Sequence, residues 1–135
     1  MSQLRVRPTD GELAILQVLW DQGPATVRQV HEALFEARET GYTTTLKLIQ
    51  IMAEKGLVAR DESARTHVYT ARFTRDETQQ RLVSDLMDRA FGGSAAELVM
   101  QVLSTHPTSA DELQDIEHMI AEFRATTPAR SGGRK

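Results

Sequence analysis

Apolar residues recur every three or four positions through most of the chain, the period of a helix with one buried face. The pattern predicts a first helix over about 10–21 and a second over about 26–37, with a Gly-Pro pair between them that breaks the helical period. A third helix follows over about 43–55. The side chains expected on the inner faces of the first two helices are Leu13, Leu16, Leu19, Trp20, Val27, Val30, Ala33 and Leu34.

The predicted helix starts carry a recognisable cap. In a capping box, a Ser or Thr side chain accepts a hydrogen bond from the backbone N–H three residues later, and a Glu or Gln there accepts one from the N–H of the cap residue. The motif occurs in the pairs Thr9/Glu12, Thr26/Gln29, Thr74/Glu77, Ser94/Glu97 and Ser109/Glu112. Because each pair precedes an apolar pattern, the pairs support five helix starts.

The segment 57–73, LVARDESARTHVYTARF, departs from the helical period. Gly56 stands where a C-cap glycine would end the third helix. Two short β-prone runs then flank the polar stretch 61–66, which indicates a hairpin. Three helices followed by a hairpin are the order of a helix-turn-helix with a β-wing, so we expect residues 1–73 to form a winged-helix domain.

Residues 74–125 return to the helical pattern and predict three short helices. In the last of them the apolar residues alternate three and four apart, the a/d rhythm of a helix seam. Three helices of this size cannot bury all their apolar faces within one chain, so we expect a second copy to cover them. The residues expected in this homodimer contact are Leu82, Leu86, Leu98, Val102, Leu113, Ile116, Ile120 and Phe123.

The tail 126–135 is rich in Gly, Ser and Arg and is expected to be disordered. The predicted fold is therefore mainly α with a small β-wing. It consists of an N-terminal winged helix-turn-helix domain followed by a C-terminal three-helix dimerisation region.

Composition limits the kinds of function. The 135 residues include no cysteine, which excludes disulfides, thiolate metal sites and cysteine nucleophiles. No apolar run approaches the roughly 18 residues of a membrane span, and the N-terminus lacks an apolar signal core, so we expect a soluble cytoplasmic protein without membrane insertion. The histidines are scattered and nothing pairs a nucleophile with a base, so no enzyme, metal or cofactor is predicted.

The net charge of −3 conceals an uneven distribution. Residues 1–75 carry ten Lys and Arg against nine Asp and Glu, whereas residues 76–125 carry three against ten. This asymmetry indicates two units with different tasks. Only the first has a balance compatible with a nucleic-acid partner.

The third predicted helix has a continuous polar stripe. Thr43, Lys47, Gln50 and Glu54 fall on one face, and Thr44 flanks that face at its N-terminal end. The opposite face, expected to point into the core, contains Leu46, Ile49 and Ala53. A recognition helix needs this design, because its N-terminal polar residues must reach base edges in a DNA major groove. The simpler interpretation is a solvated face with Thr43 or Thr44 as the N-cap.

The elements around this helix favour the recognition interpretation. The hairpin carries Arg60, Arg65 and Arg72, which suit wing contacts to the sugar-phosphate backbone. Arg5 and Arg7, in the N-terminal arm, could also touch phosphate or could be idle. The wing-tip side chains could equally be solvated, so this alternative stays open.

Three stretches carry a resemblance to a known family: TDGELAILQVLWDQGPATVRQVHEAL, YTTTLKLIQIMAEKGLVAR and HVYTA. Over about residues 8–125 the chain resembles the penicillinase-repressor (BlaI/MecI-type) family of winged-helix regulators. The resemblance implies a dimeric repressor that binds a pseudo-palindromic double-stranded DNA operator, often with TACA/TGTA cores. It implies base contacts for Thr43, Thr44 and Lys47, and it places Arg65 at the basic wing tip.

The chain departs from the family pattern in three places. The wing has Ala64 before Arg65, where the family usually has Gly. Copper-responsive relatives carry C-terminal cysteine pairs, so the absence of cysteine excludes copper sensing by thiolates. In antibiotic-responsive members a membrane sensor protease cuts an Asn-Phe bond in the helix matching 94–104, and here residues 100–103 read Met-Gln-Val-Leu. The resemblance thus implies such a protease as a partner, but its cut site is not matched.

A winged-helix module that contacts another protein is the alternative function. It would need an exposed apolar patch on the third helix instead of the Thr and Lys face. The sequence therefore predicts a dimeric, sequence-specific transcriptional repressor.

Overall fold

The computed structural model describes residues 7–38 and 41–126, with the side chains of all of these except 36–38. The predicted arm contact of Arg5 and the predicted tail beyond Thr126 lie outside the described residues. Six helices and two strands make up the described part. They are α1 (Asp10–Gln22), α2 (Val27–Arg38), α3 (Tyr42–Lys55), β1 (Val58–Asp61), β2 (Val68–Ala71), α4 (Arg75–Ala90), α5 (Ala95–Thr105) and α6 (Ala110–Thr126). The predicted order is confirmed, and Thr126, expected in the tail, ends α6.

Each predicted cap accepts the expected bond. The hydroxyls of Thr9, Thr26, Thr74, Ser94 and Ser109 accept from the backbone N–H three residues on, at 3.2, 3.2, 3.0, 3.1 and 3.0 Å. For the three threonines the return bond to the Glu or Gln side chain is also present, at 2.9 Å each. These contacts are local in sequence, which is why the sequence could predict them.

The core of the N-terminal domain lies between α1, α2, α3 and the wing. Its buried apolar residues are Ile15, Leu16, Leu19, Ala25, Val27, Val30, Leu34, Ile49, Met52, Leu57, Val58 and Tyr69. Leu13 and Trp20, expected on the inner face, are only partly buried and pack against this cluster. The Trp20 indole N–H instead donates to the carbonyl of Phe73 at 2.9 Å, which keeps the ring at the edge of the core.

An ion pair connects α1 with the end of α3. The Glu12 side chain is 2% exposed, and the Lys55 ammonium donates to its two carboxylate oxygens at 2.8 and 3.1 Å. One of those oxygens also accepts the N–H of Thr9. A buried carboxylate needs such partners, because an unpaired charge in the interior costs several kcal/mol, on the order of 3–5. The pair thus fixes α3 against α1.

The wing is a two-stranded antiparallel sheet in which Val58 pairs with Ala71 and Asp61 with Val68. It is joined to the chain just before α2 by an isolated bridge. The Ala25 N–H donates to the Tyr69 carbonyl at 3.0 Å, and the Tyr69 N–H donates to the Ala25 carbonyl at 2.8 Å. The hairpin is therefore docked on the helical core by backbone hydrogen bonds as well as by the buried Tyr69 ring.

The chain divides into two compact units, Met1–Leu86 and Met87–Lys135. The boundary falls inside α4, whereas the sequence analysis placed a domain boundary at 73–74. The first turns of α4 therefore cluster with the winged helix. The second unit contains α5 and α6, and among the described residues neither helix has a buried one.

Candidate nucleic-acid interface

The start of α3 differs from the other helix starts. Its N-cap is Gly41, which makes no side-chain cap hydrogen bond. The predicted alternative, Thr43 or Thr44 as the cap, is wrong, because both lie inside the first turn of the helix. Their hydroxyls are therefore available at the surface of a helix end whose N–H groups and dipole favour an anion.

The predicted polar stripe of α3 is exposed. Thr43, Thr44, Lys47 and Gln50 all lie on the surface. Thr45, which directly follows Thr44, is fully buried, and its hydroxyl donates to the Gly41 carbonyl at 3.2 Å. This bond explains how a threonine is tolerated in the core, because its polar atom is satisfied within the helix.

The inner face of α3 is rotated slightly from the prediction. Ile49 is fully buried as expected, and so is Met52, which was not assigned to the core. Leu46 and Ala53 are only partly buried. Leu46 contacts the core with part of its side chain and lines a surface groove with the rest.

This groove, of about 480 Å³, lies between the first turn of α2, α3 and the wing. It brings together three predicted site residues, Gln50, Arg60 and Arg65, which are distant in sequence. The complete lining is Thr26, Val27, Arg28, Tyr42, Leu46, Gln50, Arg60, Arg65, Thr66, His67 and Tyr69. Lys47 is exposed one turn before Gln50 on α3. One predicted helix contact, Gln50, and two predicted wing contacts, Arg60 and Arg65, therefore line one concave surface, whereas Thr43, Thr44 and Lys47 are not part of its lining.

The cations of this surface differ in their partners. The Arg60 guanidinium forms an ion pair with Glu62 at 2.5 Å. A hydrogen bond with the Tyr69 side chain and the charge of Glu62 raise the pKa of Arg60. In contrast, no carboxylate of a described side chain lies within 4.0 Å of Arg28, Lys47 or Arg65. Arg28 and Arg65 in the groove and Lys47 exposed on α3 thus carry positive charge that no described carboxylate neutralises.

Two other predicted contacts lie away from the groove. Arg7 forms an ion pair with Asp85 of α4 at 3.3 Å. Arg72 lines a different pocket, beside Trp20 and Phe73, and its guanidinium lies 3.7 Å from the position a Cβ would take on Gly56. Their positions thus give less support to a DNA contact than those of Lys47 and Arg65.

The wing tip is shaped without the glycine that the family usually has before the arginine. The Asp61 carboxylate accepts the N–H of Ser63 at 2.9 Å, and this backbone hydrogen bond lowers the pKa of Asp61. Such an aspartate-closed turn sets the start of the loop. Ala64 and Arg65 then follow as exposed residues.

The sequence analysis missed two residues of the groove, Arg28 and Tyr42. Arg28, on α2, approaches Tyr42, the first residue of α3, only after the two helices have packed together, and the periodicity of the sequence does not indicate that packing. The available signal was weak: an arginine in the first turn of a capped helix and a tyrosine directly before the Thr-rich stretch. Within residues 7–38 and 41–126 no group of three or more metal-ligating side chains is present.

Comparisons with known proteins identify the family of the chain. The family model described as penicillinase repressor matches residues 8–122. Two curated relatives, both named transcriptional regulator BlaI, from Mycobacterium tuberculosis strains CDC 1551 and H37Rv, are each 34% identical over 117 residues. The match covers 86% of this chain and 84% of either relative.

Two solved structures share the fold at low sequence identity. The complex structure of hsRosR-S4 is 20% identical with a TM-score of 0.51, covering 94% of this chain and 97% of that one. A MarR family protein from Bacillus stearothermophilus is 18% identical with a TM-score of 0.50, covering 92% of this chain and 79% of that one. In the described part of the chain, no helix is long and apolar enough to cross a membrane. With a winged helix at its N-terminus and a family match over nearly its whole length, the chain belongs to the penicillinase repressor family of transcriptional regulators, which are not enzymes.

Proposed function

We propose that the protein is a dimeric repressor that reads a pseudo-palindromic operator with α3 in the major groove of each half-site. The observation that carries the proposal is the exposed stripe of Thr43, Thr44, Lys47 and Gln50 beside a groove with uncompensated cations. A B-DNA major groove, about 12 Å wide, admits one α-helix. The alternative, a protein-contact module, would need an apolar patch where this stripe is polar.

The contacts divide by chemistry. Thr43, Thr44, Lys47 and Gln50 present hydroxyl, ammonium and amide groups that suit base edges. Arg65 at the wing tip suits phosphate, which positions the protein without reading sequence. Arg60 has a smaller role in this scheme, because Glu62 already neutralises much of its charge.

Dimerisation uses the C-terminal helices. Five of the eight residues assigned to this contact are exposed: Leu86 at 46%, Val102 at 45%, Leu113 at 39%, Ile120 at 50% and Phe123 at 69%. The other three, Leu82, Leu98 and Ile116, are half-buried. Soluble proteins seldom leave so many large apolar side chains in water without a partner. A second copy supplies matching faces and sets the spacing of two recognition helices for a two-fold symmetric operator.

A membrane sensor protease would be the partner that releases the repressor. In α5 the side chains of Val99, Met100, Val102 and Leu103 are exposed. Cleavage there would require a protease that accepts this sequence in place of an Asn-Phe bond.

The test compares specific and random DNA. A duplex selected by the wild-type protein from a randomised library is labelled, and its affinity is measured by anisotropy beside a scrambled duplex. Lys47→Ala should lower the ratio of the two affinities several-fold or more, because a good base contact contributes about 1–3 kcal/mol of discrimination. Thermal melts should be nearly unchanged, since Lys47 is exposed and alanine favours helix.

An unchanged ratio for Lys47→Ala and for Thr44→Ala would show that α3 does not read the operator. A variant at the wing tip serves as the comparison. Arg65→Ala should weaken binding to the selected and scrambled duplexes about equally, because phosphate contacts are independent of sequence.

A further inference from the structure

The groove beside α3 contains a cation–π pair that the polar stripe does not include. Arg28 lies in the first turn of α2, and Tyr42 is the first residue of α3. The Arg28 guanidinium carbon lies 5.8 Å from the centroid of the Tyr42 ring, within the range of a cation–π interaction. The His31 ring packs edge-on against the same tyrosine, with centroids 5.6 Å apart and planes at 81°. Tyr42 is thus held from α2 by two side chains.

The charge of Arg28 has no carboxylate partner among the described side chains. A second arginine of the same kind provides the contrast. Arg75 lies 5.5 Å from the centroid of the Trp20 ring, but its guanidinium is bonded to Asp21 at 2.5 Å. A stacked guanidinium contacts the ring with its face and keeps its N–H edge for an oxyanion. An N–H group of Arg75 is thus engaged by a carboxylate, whereas Arg28 has no carboxylate partner among the described side chains.

The position of Arg28 suits a DNA backbone. It lines the groove from the α2 side, as Arg65 does from the wing side, while Tyr42 and Gln50 line it from α3. A backbone approaching the start of α3 would therefore meet an arginine whose orientation is already restricted by the ring. Such restriction lowers the side-chain entropy that is lost on binding. An unrestrained surface lysine or arginine loses more of it.

We propose that Arg28, held on the ring of Tyr42, binds a phosphate of the DNA backbone beside the start of α3. The inference rests on the proposed DNA-binding function and assigns to it an anchor on α2. Arg28 supplies the charge and the bidentate N–H edge for a phosphate. Tyr42 is a positioning residue that acts through Arg28.

The test is the salt dependence of binding by the full-length protein, measured on the selected and the scrambled duplex. Each phosphate contact contributes about 0.9 to the slope of log affinity against log salt. Arg28→Ala should therefore lower the slope by about 0.9 for each bound protomer. With that difference in slope, the affinity of Arg28→Ala relative to the wild type should fall by about eightfold per contact between 1 M and 0.1 M salt. Because a phosphate carries no sequence information, the loss should be equal on the two duplexes.

The tyrosine is tested by a double-mutant cycle. Tyr42→Leu leaves every cation in place, so it should weaken binding less than Arg28→Ala. The double variant should bind no more weakly than Arg28→Ala alone, because both changes act on one contact. Arg28→Lys should retain the salt slope but recover only part of the affinity, since lysine lacks the planar fork.

Arg75→Ala is the matched control, as it removes an arginine from an aromatic ring outside the groove. It should leave the affinity and the salt slope at their wild-type values. If Arg28→Ala behaves like Arg75→Ala while Lys47→Ala still loses discrimination, the Arg28 proposal is overturned and the DNA-binding function stands. If the wild-type protein selects no duplex at all, both are overturned. Additive losses in the double variant would overturn the positioning role of Tyr42.

Discussion

The orientation of α3 can be tested by two alanine substitutions one turn apart. Ile49 is 0% exposed in the core, whereas Leu46 divides its side chain between the core and the groove. Ile49→Ala removes fully buried apolar groups and leaves a cavity, for which about 2–5 kcal/mol of unfolding free energy is usual. For a partly exposed leucine the transfer contribution is roughly halved, to about 1 kcal/mol. We therefore expect Ile49→Ala to be at least twice as destabilising as Leu46→Ala.

The less stable variant, Ile49→Ala, should show the smaller change in DNA affinity. For a domain of 60–100 residues, each 1 kcal/mol lowers the thermal midpoint by about 4–8 °C, so Ile49→Ala should melt at least about 8 °C below the wild type. At a temperature where it is still folded, its operator affinity should be close to wild-type, because Ile49 does not reach the surface. Leu46→Ala should have a thermal midpoint only slightly below that of the wild type. Its affinity for the operator should change, because Leu46 lines the groove.

The assay combines urea unfolding followed by circular dichroism with anisotropy on the selected duplex at low temperature. Equal destabilisation by the two substitutions would mean that Leu46 is as buried as Ile49. In that case α3 would be rotated about its axis relative to the structure, and the groove would not include Leu46. The assignment of Lys47 and Gln50 to the DNA-facing side would then also have to be revised.

Two further predictions concern the other parts of the chain. Ile120→Asp, on an exposed and apolar face of α6, should dissociate or unfold the proposed dimer; sedimentation of the wild-type protein as a monomer at tens of micromolar would contradict the contact. Gly56→Ala should cost about 1 kcal/mol or more, because Gly56 ends α3 at φ 84° and ψ 16°, a left-handed conformation that disfavours a Cβ. A thermal midpoint equal to that of the wild type would show that the end of α3 can relax.

Local signals explain most of what the sequence could predict. The caps at Thr9 and Thr26 and the glycine stop at Gly56 depend on residues a few positions apart, and the structure confirms them. The order of helices and wing follows from those signals and from the change of apolar period. Family resemblance added the function, and the family match confirms its broad part, a transcriptional regulator of the penicillinase repressor family.

The missed features depend on packing between elements. Thr45 was not among the residues expected in the core, yet the bond from its hydroxyl to the Gly41 carbonyl allows full burial. Trp20 was expected deeper, but its N–H is drawn to the Phe73 carbonyl, fifty-three residues away. Arg28 becomes part of the groove only through the packing of α2 beside α3 and the wing. None of these contacts leaves a periodic trace in the sequence.

The bridge between Ala25 and Tyr69 has a consequence for how the wing can change during evolution. Because the second strand is attached to the core through Tyr69, the hairpin does not rely on its own loop to keep its place. Residues 62–66 are all exposed, so insertions there would lengthen the tip without displacing the anchored strand. Relatives could therefore acquire wings of different reach on one unchanged helical scaffold, and a designer could lengthen the tip around Arg65 while leaving α3 untouched.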